Sequence, residues 1–223
     1  MSEFPKFKPE VLIDSKNAQT VATYESRVQE YINSTSHEVN GDLKVWLDES
    51  VDNLPHAARI LEIGSGFGRD ADYLHDKGYS VECTDATLGF VELLQDNGFN
   101  ARELNVLTDE ITSRYDFVFA DAVLLHFDRE QTADVMQKVY GSLEDGGRFA
   151  FTVKQGIGEE WSTDKLDAPR YFCYWQKGQI EELLEYTGFH NHLVEEKGSG
   201  SGQRWLHVVA YKAPVTKNGI ISR

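Results

Sequence analysis

Residues 62 to 69 read Glu-Ile-Gly-Ser-Gly-Phe-Gly-Arg, where an apolar run breaks and a helical pattern begins. Glycines at 64, 66 and 68 allow a sharp strand-to-helix turn and bring the backbone against a ligand that a Cβ would keep away. The neighbouring residues decide which ligand suits it. A phosphate loop needs Lys-Ser/Thr after its last glycine, and here Arg69-Asp70 follows. A dinucleotide turn places glycines at its first, third and sixth positions; here they hold the first, third and fifth, and Arg69 holds the sixth. Glu62, two places before Gly64, would point a carboxylate into the crevice at its strand's end. That is an awkward neighbour for a pyrophosphate and a suitable one for a ligand carrying positive charge.

The elements that must hold this turn can be read along the chain. Residues 1 to 16 read as an irregular arm. From Asn17 to Ile32, Val21, Tyr24, Val28, Tyr31 and Ile32 recur at helical spacing. A second helix runs from Asp42 to Leu54, where Pro55 ends it. The chain then alternates strand 58–64, helix 68–78, strand 79–85 and helix 87–98, the last with Thr87 as N-cap and Gly98 past its end. A weaker strand, 101–106, precedes a strong one, 115–121. Asp128 and Gln131 form a capping box without the usual hydroxyl, opening a helix with Ala133, Met136, Val139, Tyr140 and Leu143 on one face. Strand 146–154 and helix 178–188 continue the rhythm, which predicts a parallel sheet with helices on both faces. The glycine-serine stretch 197–202 then joins strands 190–196 and 203–212. It is too short for a crossover, so the last strand runs antiparallel.

Set in these elements, the glycine turn resembles that of the class I S-adenosylmethionine-dependent methyltransferases. Their first motif, an acidic residue followed by Gly-x-Gly-x-Gly, is matched by Glu62, Gly64, Gly66 and Gly68, with Ser65 inside the loop. The likeness extends over residues 17 to 213, and its glycine turn into strand five is matched by residues 143 to 154. It implies an α/β fold whose seven-stranded Rossmann-like sheet has the order 3-2-1-4-5-7-6, the last strand antiparallel and helices on both faces. It implies S-adenosyl-L-methionine as the cofactor and no phosphate in the turn. It also implies that Asp85, beside Ala86, accepts the ribose hydroxyls. Asn105 and Val106 would meet the adenine, while Ala120 and Asp121 would approach the methionine part. Asn105 reads equally as a turn former. Arg69 is either solvated or in contact with the methionine carboxylate. Tyr24 belongs to a packing stripe, yet in some small-molecule methyltransferases an N-terminal tyrosine stands over the sulfonium, making it a candidate catalytic residue.

The acceptor is bounded by what is missing. Methylases of exocyclic amines in nucleic acids carry Asp/Asn-Pro-Pro-Tyr after strand four, and this chain has Ala120-Asp-Ala-Val-Leu-Leu-His-Phe127 there. His126 is the second candidate catalytic residue, a base for a hydroxyl acceptor or a side chain that only packs beneath the pocket. Residues 155 to 175 are long for a connection and rich in aromatics. They form a candidate lid in which Glu159 or Glu160 could attract an amine, or a patch over the sheet. His190 and His192 lack partners at ligand spacing, so no metal site is expected.

The 223 residues, 40% hydrophobic and 12% aromatic, fit one domain. Residues 1–54 would form a helical cap segment and 55–213 the core. The formal charge of −15 argues against a nucleic-acid partner and favours a neutral, cationic or small-molecule one. Two distant cysteines, no apolar leader and no membrane-length run make the cytoplasm the expected home. The oligomeric state is left open. The reading is methyl transfer to oxygen or nitrogen of a small molecule. An NAD(P)-dependent oxidoreductase and a non-catalytic S-adenosylmethionine-binding protein are its alternatives.

Overall fold

The computed structural model describes residues 15–198 and 202–214. Most of the expected N-terminal arm, and the middle of the glycine-serine stretch, lie outside the described residues. The first helix is two: α1 (Ser15–Ser26) and α2 (Val28–Ser34), parted at Arg27, whose φ of −131° and ψ of 24° leave the helical region. On an unbroken helix Tyr24 and Tyr31 would stand about 10 Å apart along the axis. The break lets their rings meet edge to face at 5.4 Å. The fully buried positions on α1 are polar, Asn17, Thr20 and Thr23. The apolar stripe does not mark them because their partners are polar, backbone groups for the two threonines and the Asn105 amide for Asn17. Thr20 Oγ1 accepts the Tyr171 N–H at 3.1 Å, and Thr23 Oγ1 donates to the Pro169 carbonyl at 2.6 Å.

Helix α3 (Gly41–Ser50) stops short of the expected Leu54, and Asn53 takes a left-handed φ of 57° in the turn that follows. Trp46, Leu47, Val51 and Leu54 nevertheless reach the core. The alternation then unfolds as β1 (Ile60–Ile63), α4 (Arg69–Asp76), β2 (Val81–Asp85), α5 (Leu88–Asp96), β3 (Asn100–Glu103) and β4 (Tyr115–Ala120). A single 3-10 turn, Leu124–His126, leads into α6 (Arg129–Ser142) and β5 (Leu143–Lys154). Next come β6 (Glu159–Ser162), β7 (Arg170–Cys173), α7 (Lys177–Tyr186), β8 (Phe189–Gly198) and β9 (Arg204–Lys212).

Seven strands form one sheet in the order β3-β2-β1-β4-β5-β9-β8, the expected order with β8 and β9 counted as its last two. β1, β2, β3, β4 and β5 pair in parallel, and β9 runs antiparallel between β5 and β8. The Asp128–Gln131 capping box is present, and both of its reciprocal hydrogen bonds form. The buried face of α6 is Thr132, Val135, Met136 and Val139, rotated from the expected one, because Leu143 already opens β5. β3 is shorter than expected and sits at the sheet edge. A bulge between His190 and Leu193, with Asn191 at φ 51°, breaks the alternation that had put His190 and His192 on one strand face.

The register places the chemistry. Ile63 pairs with Thr84 and Glu62 with Phe119, so β1, β2 and β4 end together. Gly64, Asp85 and Asp121 therefore leave the sheet along one edge, where the strand order reverses between β1 and β4 and α/β sheets bind their ligands. Residues 155–175 are not an irregular loop. β6 and β7 form a separate antiparallel hairpin in which Tyr171, Phe172 and Trp175 are buried.

Candidate active site

Between α1 and the carboxyl edge of the sheet lies a cavity of about 670 Å³, counted out to its open mouth. The glycine turn forms its floor. Gly64, Gly66 and Gly68 have φ of 72°, 54° and 90°, all in the left-handed region that glycine alone enters freely. Their tasks differ. A Cβ on Gly64 would overlap the Val123 side chain, whereas one on Gly66 would find only the Tyr31 ring, at 3.7 Å. On Gly68 it would press into Leu94 at 2.8 Å and Phe99 at 3.1 Å, so that glycine serves helix packing. Ser65 secures the turn from behind, its Oγ accepting the Thr84 N–H at 3.1 Å.

Asp85 ends β2 at the cavity wall, only 8% exposed. Its Oδ2 accepts the Gly66 N–H at 2.9 Å and its Oδ1 the Thr87 N–H at 2.8 Å. The Thr87 hydroxyl and the Ala86 N–H also reach this carboxylate. Burial raises this carboxyl above its ordinary range, and the N–H groups of Thr87 and Gly66 restrain the rise. Thr87 is indeed the N-cap of α5, but its side chain makes no capping bond; the Asp85 carboxylate meets its backbone instead.

Behind the turn, two carboxylates share one guanidinium and a third, Glu62, stands near them. Arg69 holds Asp70 with two hydrogen bonds, at 2.7 and 3.0 Å, and Asp121 with one at 2.8 Å. Burial works against the charge on Arg69, but Asp70 and Asp121 outweigh it and keep the guanidinium protonated. Burial, then repulsion from Asp121, raises Asp70 to about 6. Glu62 is 2% exposed and its Oε2 has no hydrogen-bond partner among the described residues. Burial, then the charge on Asp70, lifts it well above the usual carboxylate range. An orphaned carboxylate oxygen and an excess of acids suit a ligand that brings positive charge; a pyrophosphate would add to the repulsion.

On the opposite wall Tyr24 and His126 are partners. The Tyr24 hydroxyl lies 2.9 Å from His126 Nε2, and His126 Nδ1 lies 2.7 Å from the Tyr171 carbonyl. A carbonyl only accepts, so Nδ1 carries the proton and Nε2 accepts from Tyr24. Arg170 Nη1 donates to the same hydroxyl at 3.2 Å. Burial pushes the imidazole down to about 3, against the hydrogen bond to Tyr171, and the charges of Arg170 and Lys154 add to that push. A buried ring between cations favours the neutral form, which of the two roles weighed for His126 suits the packing side chain better than the base.

Of the residues singled out from the sequence, Tyr24, Gly64, Gly66, Asp85, Ala86, Asn105, Val106, Asp121 and His126 line this cavity. Glu62, Ser65, Arg69 and Ala120 stand behind the wall. Arg69, weighed as solvated or as a contact to the methionine carboxylate, is engaged by Asp70 and Asp121 and braces the turn. Asn105 does both things weighed for it: its Oδ1 accepts the Leu107 N–H at 3.2 Å in a turn, and it lines the cavity. Its amide also donates to Asn17 Oδ1 at 2.7 Å, tying α1 to the sheet. Sequence reasoning missed Asn17, Thr20, Phe90 and Val123 in the lining, and Arg170 behind it. Ala122 was missed as well, although a non-glycine residue at φ 56° beside a ligand cavity marks a constrained site. Glu159 pairs with Lys16 at 3.5 Å, and Glu160 accepts from the Tyr174 hydroxyl, so neither is aimed at an acceptor as expected.

Residues 61–149 match the family model described as a methyltransferase domain. No curated protein matches the chain significantly by sequence. Among solved structures, the 1,6-didemethyltoxoflavin-N1-methyltransferase of Burkholderia thailandensis, with 1,6-didemethyltoxoflavin and S-adenosylhomocysteine bound, is 18% identical. It superposes with a TM-score of 0.69 over 95% of this chain and 93% of that one. Phosphoethanolamine N-methyltransferase 2 of Haemonchus contortus, in complex with S-adenosyl-L-methionine, is 15% identical with a TM-score of 0.70, over 92% of this chain and 61% of that one. An S-adenosylmethionine-dependent methyltransferase of Methanosarcina mazei is 17% identical with a TM-score of 0.63, over 74% of this chain and 96% of that one. At these identities the shared property is the fold.

Proposed function

We infer that this chain, a class I S-adenosylmethionine-dependent methyltransferase, methylates nitrogen or oxygen of a small molecule in the cytoplasm. The observation that carries this reading is Asp85, a buried carboxylate at the end of β2, tethered through Gly66 and Thr87 at the wall of the cavity beside the glycine turn. A carboxylate so placed accepts a pair of vicinal hydroxyls, as on a ribose. The acids behind the turn favour a cationic neighbour, and Gly66 admits close approach. These features fit S-adenosyl-L-methionine, whose sulfonium supplies a methyl group for in-line displacement.

The chain's own part is alignment and exclusion of water. Ala86, Asn105 and Val106 would bound the adenine, and Gly64 with Asp121 the methionine end. Tyr24 presents its hydroxyl to the cavity, fixed between Arg170 and His126. His126 is thereby a positioning residue rather than a base. The hairpin of β6 and β7 would close the acceptor side through its connecting residues 163–169. The surplus of acids on the chain argues against a nucleic acid. No helix among the described residues is long and apolar enough to cross a membrane.

The test is an acceptor screen with methyl-labelled S-adenosylmethionine over amines, phenols and ring nitrogens. Labelled product with stoichiometric S-adenosylhomocysteine is expected. Binding of NAD(H) or NADP(H) in place of S-adenosylmethionine would overturn the reading, and tight cofactor binding with no acceptor would mark a binding protein instead.

A further inference from the structure

Three cations stand behind the wall that Tyr24, Tyr31 and His126 give the cavity, and none of the three lines it directly. Lys154 Nζ stands 4.1 Å from the centre of the Phe172 ring, and the Arg170 guanidinium carbon 5.1 Å from the same ring. Phe172 in turn packs on His126, ring centres 4.8 Å apart. Arg170 also lies over the Tyr24 ring at 5.6 Å, and Lys165 Nζ lies over Tyr31 at 4.1 Å, donating to Thr35 Oγ1 at 2.6 Å. The group thus rings the Tyr24–His126 pair.

None of the three has an ion-pair partner among the described residues. Arg170 is 5% exposed and its Nε has no hydrogen-bond partner. The other nitrogens of Arg170 bond neutral oxygens, the Tyr24 hydroxyl and the Asp164 carbonyl. Burial, then the charge of Arg170, lowers Lys154 against the pull of Glu160 and Asp164; Lys165, exposed on its turn with only part of its stem covered, is lowered to about 8 by that burial, then by Arg170, Arg69 and Lys154, against Asp121. Repelling cations in a half-desolvated setting destabilise one another unless an anion joins them.

We propose that the acceptor carries an anionic oxygen group, a carboxylate or a phosphate, and that Lys154, Lys165 and Arg170 receive it beside Tyr24 and His126. This rests on the reading of the chain as a small-molecule methyltransferase, and it reverses the expectation of a neutral or cationic acceptor. The two ends of the cavity then have opposite character, acidic behind the glycine turn and basic beyond Tyr24. An acceptor held by its anionic end would present its nucleophile toward the donor.

The experiment uses the full chain loaded with S-adenosylhomocysteine, titrated with benzoate, its neutral isostere benzamide, and inorganic phosphate, with binding read by protein NMR and calorimetry. Benzoate and phosphate should perturb the signals of Tyr24, His126 and Phe172, and benzoate should bind at least about tenfold tighter than benzamide. Lys154→Gln with Lys165→Gln should erase that preference while leaving S-adenosylhomocysteine affinity as it was, which also reports that the variant is folded. Lys165→Gln alone, on an exposed turn, should weaken it in part. Equal binding of benzoate and benzamide, no response to either anion, or a preference that survives the double variant would overturn the proposal. Failure to load S-adenosylhomocysteine at all would instead remove the methyltransferase reading on which it stands.

Discussion

Tyr24 and His126, 102 positions apart in the chain, meet through one hydrogen bond, and that contact changes what each can do. A tyrosine in a helical stripe and a histidine beyond a strand were both visible as candidates. Their partnership was not, because Arg170 and the Tyr171 carbonyl, which fix the tautomer, arrive on a hairpin that no periodicity announces. Tyr24→Phe and His126→Ala should each lower turnover by roughly a hundredfold with cofactor affinity nearly intact. The double variant should lose little more than either single one, since the pair acts as a unit. Neither should remove a limb of the turnover-pH profile near neutrality; steady-state kinetics across pH checks this. His126 also bears on stability. It protonates near 6.5 when unfolded but only at about 3 when folded. Its contribution is therefore complete above 6.5 and is lost as pH falls toward 3. Denaturant melts of the native chain and His126→Gln should show their stability difference shrinking over that window; a constant difference would contradict the neutral, buried ring.

Strands and turns were the most legible elements, because the buried central strands are near-continuous apolar runs bounded by glycine and polar residues. The first helix was read less well: its buried face is two threonines bonded to backbone and an asparagine bonded to Asn105, and apolar spacing cannot reveal that. Two predictions belong at this scale. Gly64→Ala should abolish cofactor binding, since its methyl would collide with Val123 and drive the turn bearing His126 off the floor, besides straining a φ of 72°. Val123→Ala added to it should restore part of the affinity by calorimetry; no recovery would mean that backbone strain alone matters. In the hairpin, amides of β7 should exchange slowly without ligand, because that strand is buried and paired with β6. Residues 163–169 should exchange fast and slow down only when S-adenosylhomocysteine and acceptor are both bound. Exchange there that ignores both ligands would end the covering role.

Across the whole molecule, the parallel sheet was readable from alternation and the reversed last strand from the short final connection, whereas the strand order came from the family resemblance. The charge map was readable only as a total. The sum of −15 hides an acidic floor around Arg69 and a basic acceptor side around Arg170, since folding, not composition, sorts charges in space. The central claim is that this edge binds S-adenosylmethionine through Asp85. Calorimetry of the native chain and Asp85→Ala against S-adenosylmethionine and NADH tests it most directly. The native chain should bind S-adenosylmethionine at one site and ignore NADH. Asp85→Ala, folded by circular dichroism, should lose about 2 to 4 kcal/mol, two charge-assisted hydrogen bonds. Unchanged affinity in the variant, or preference for NADH in the native chain, would contradict the account.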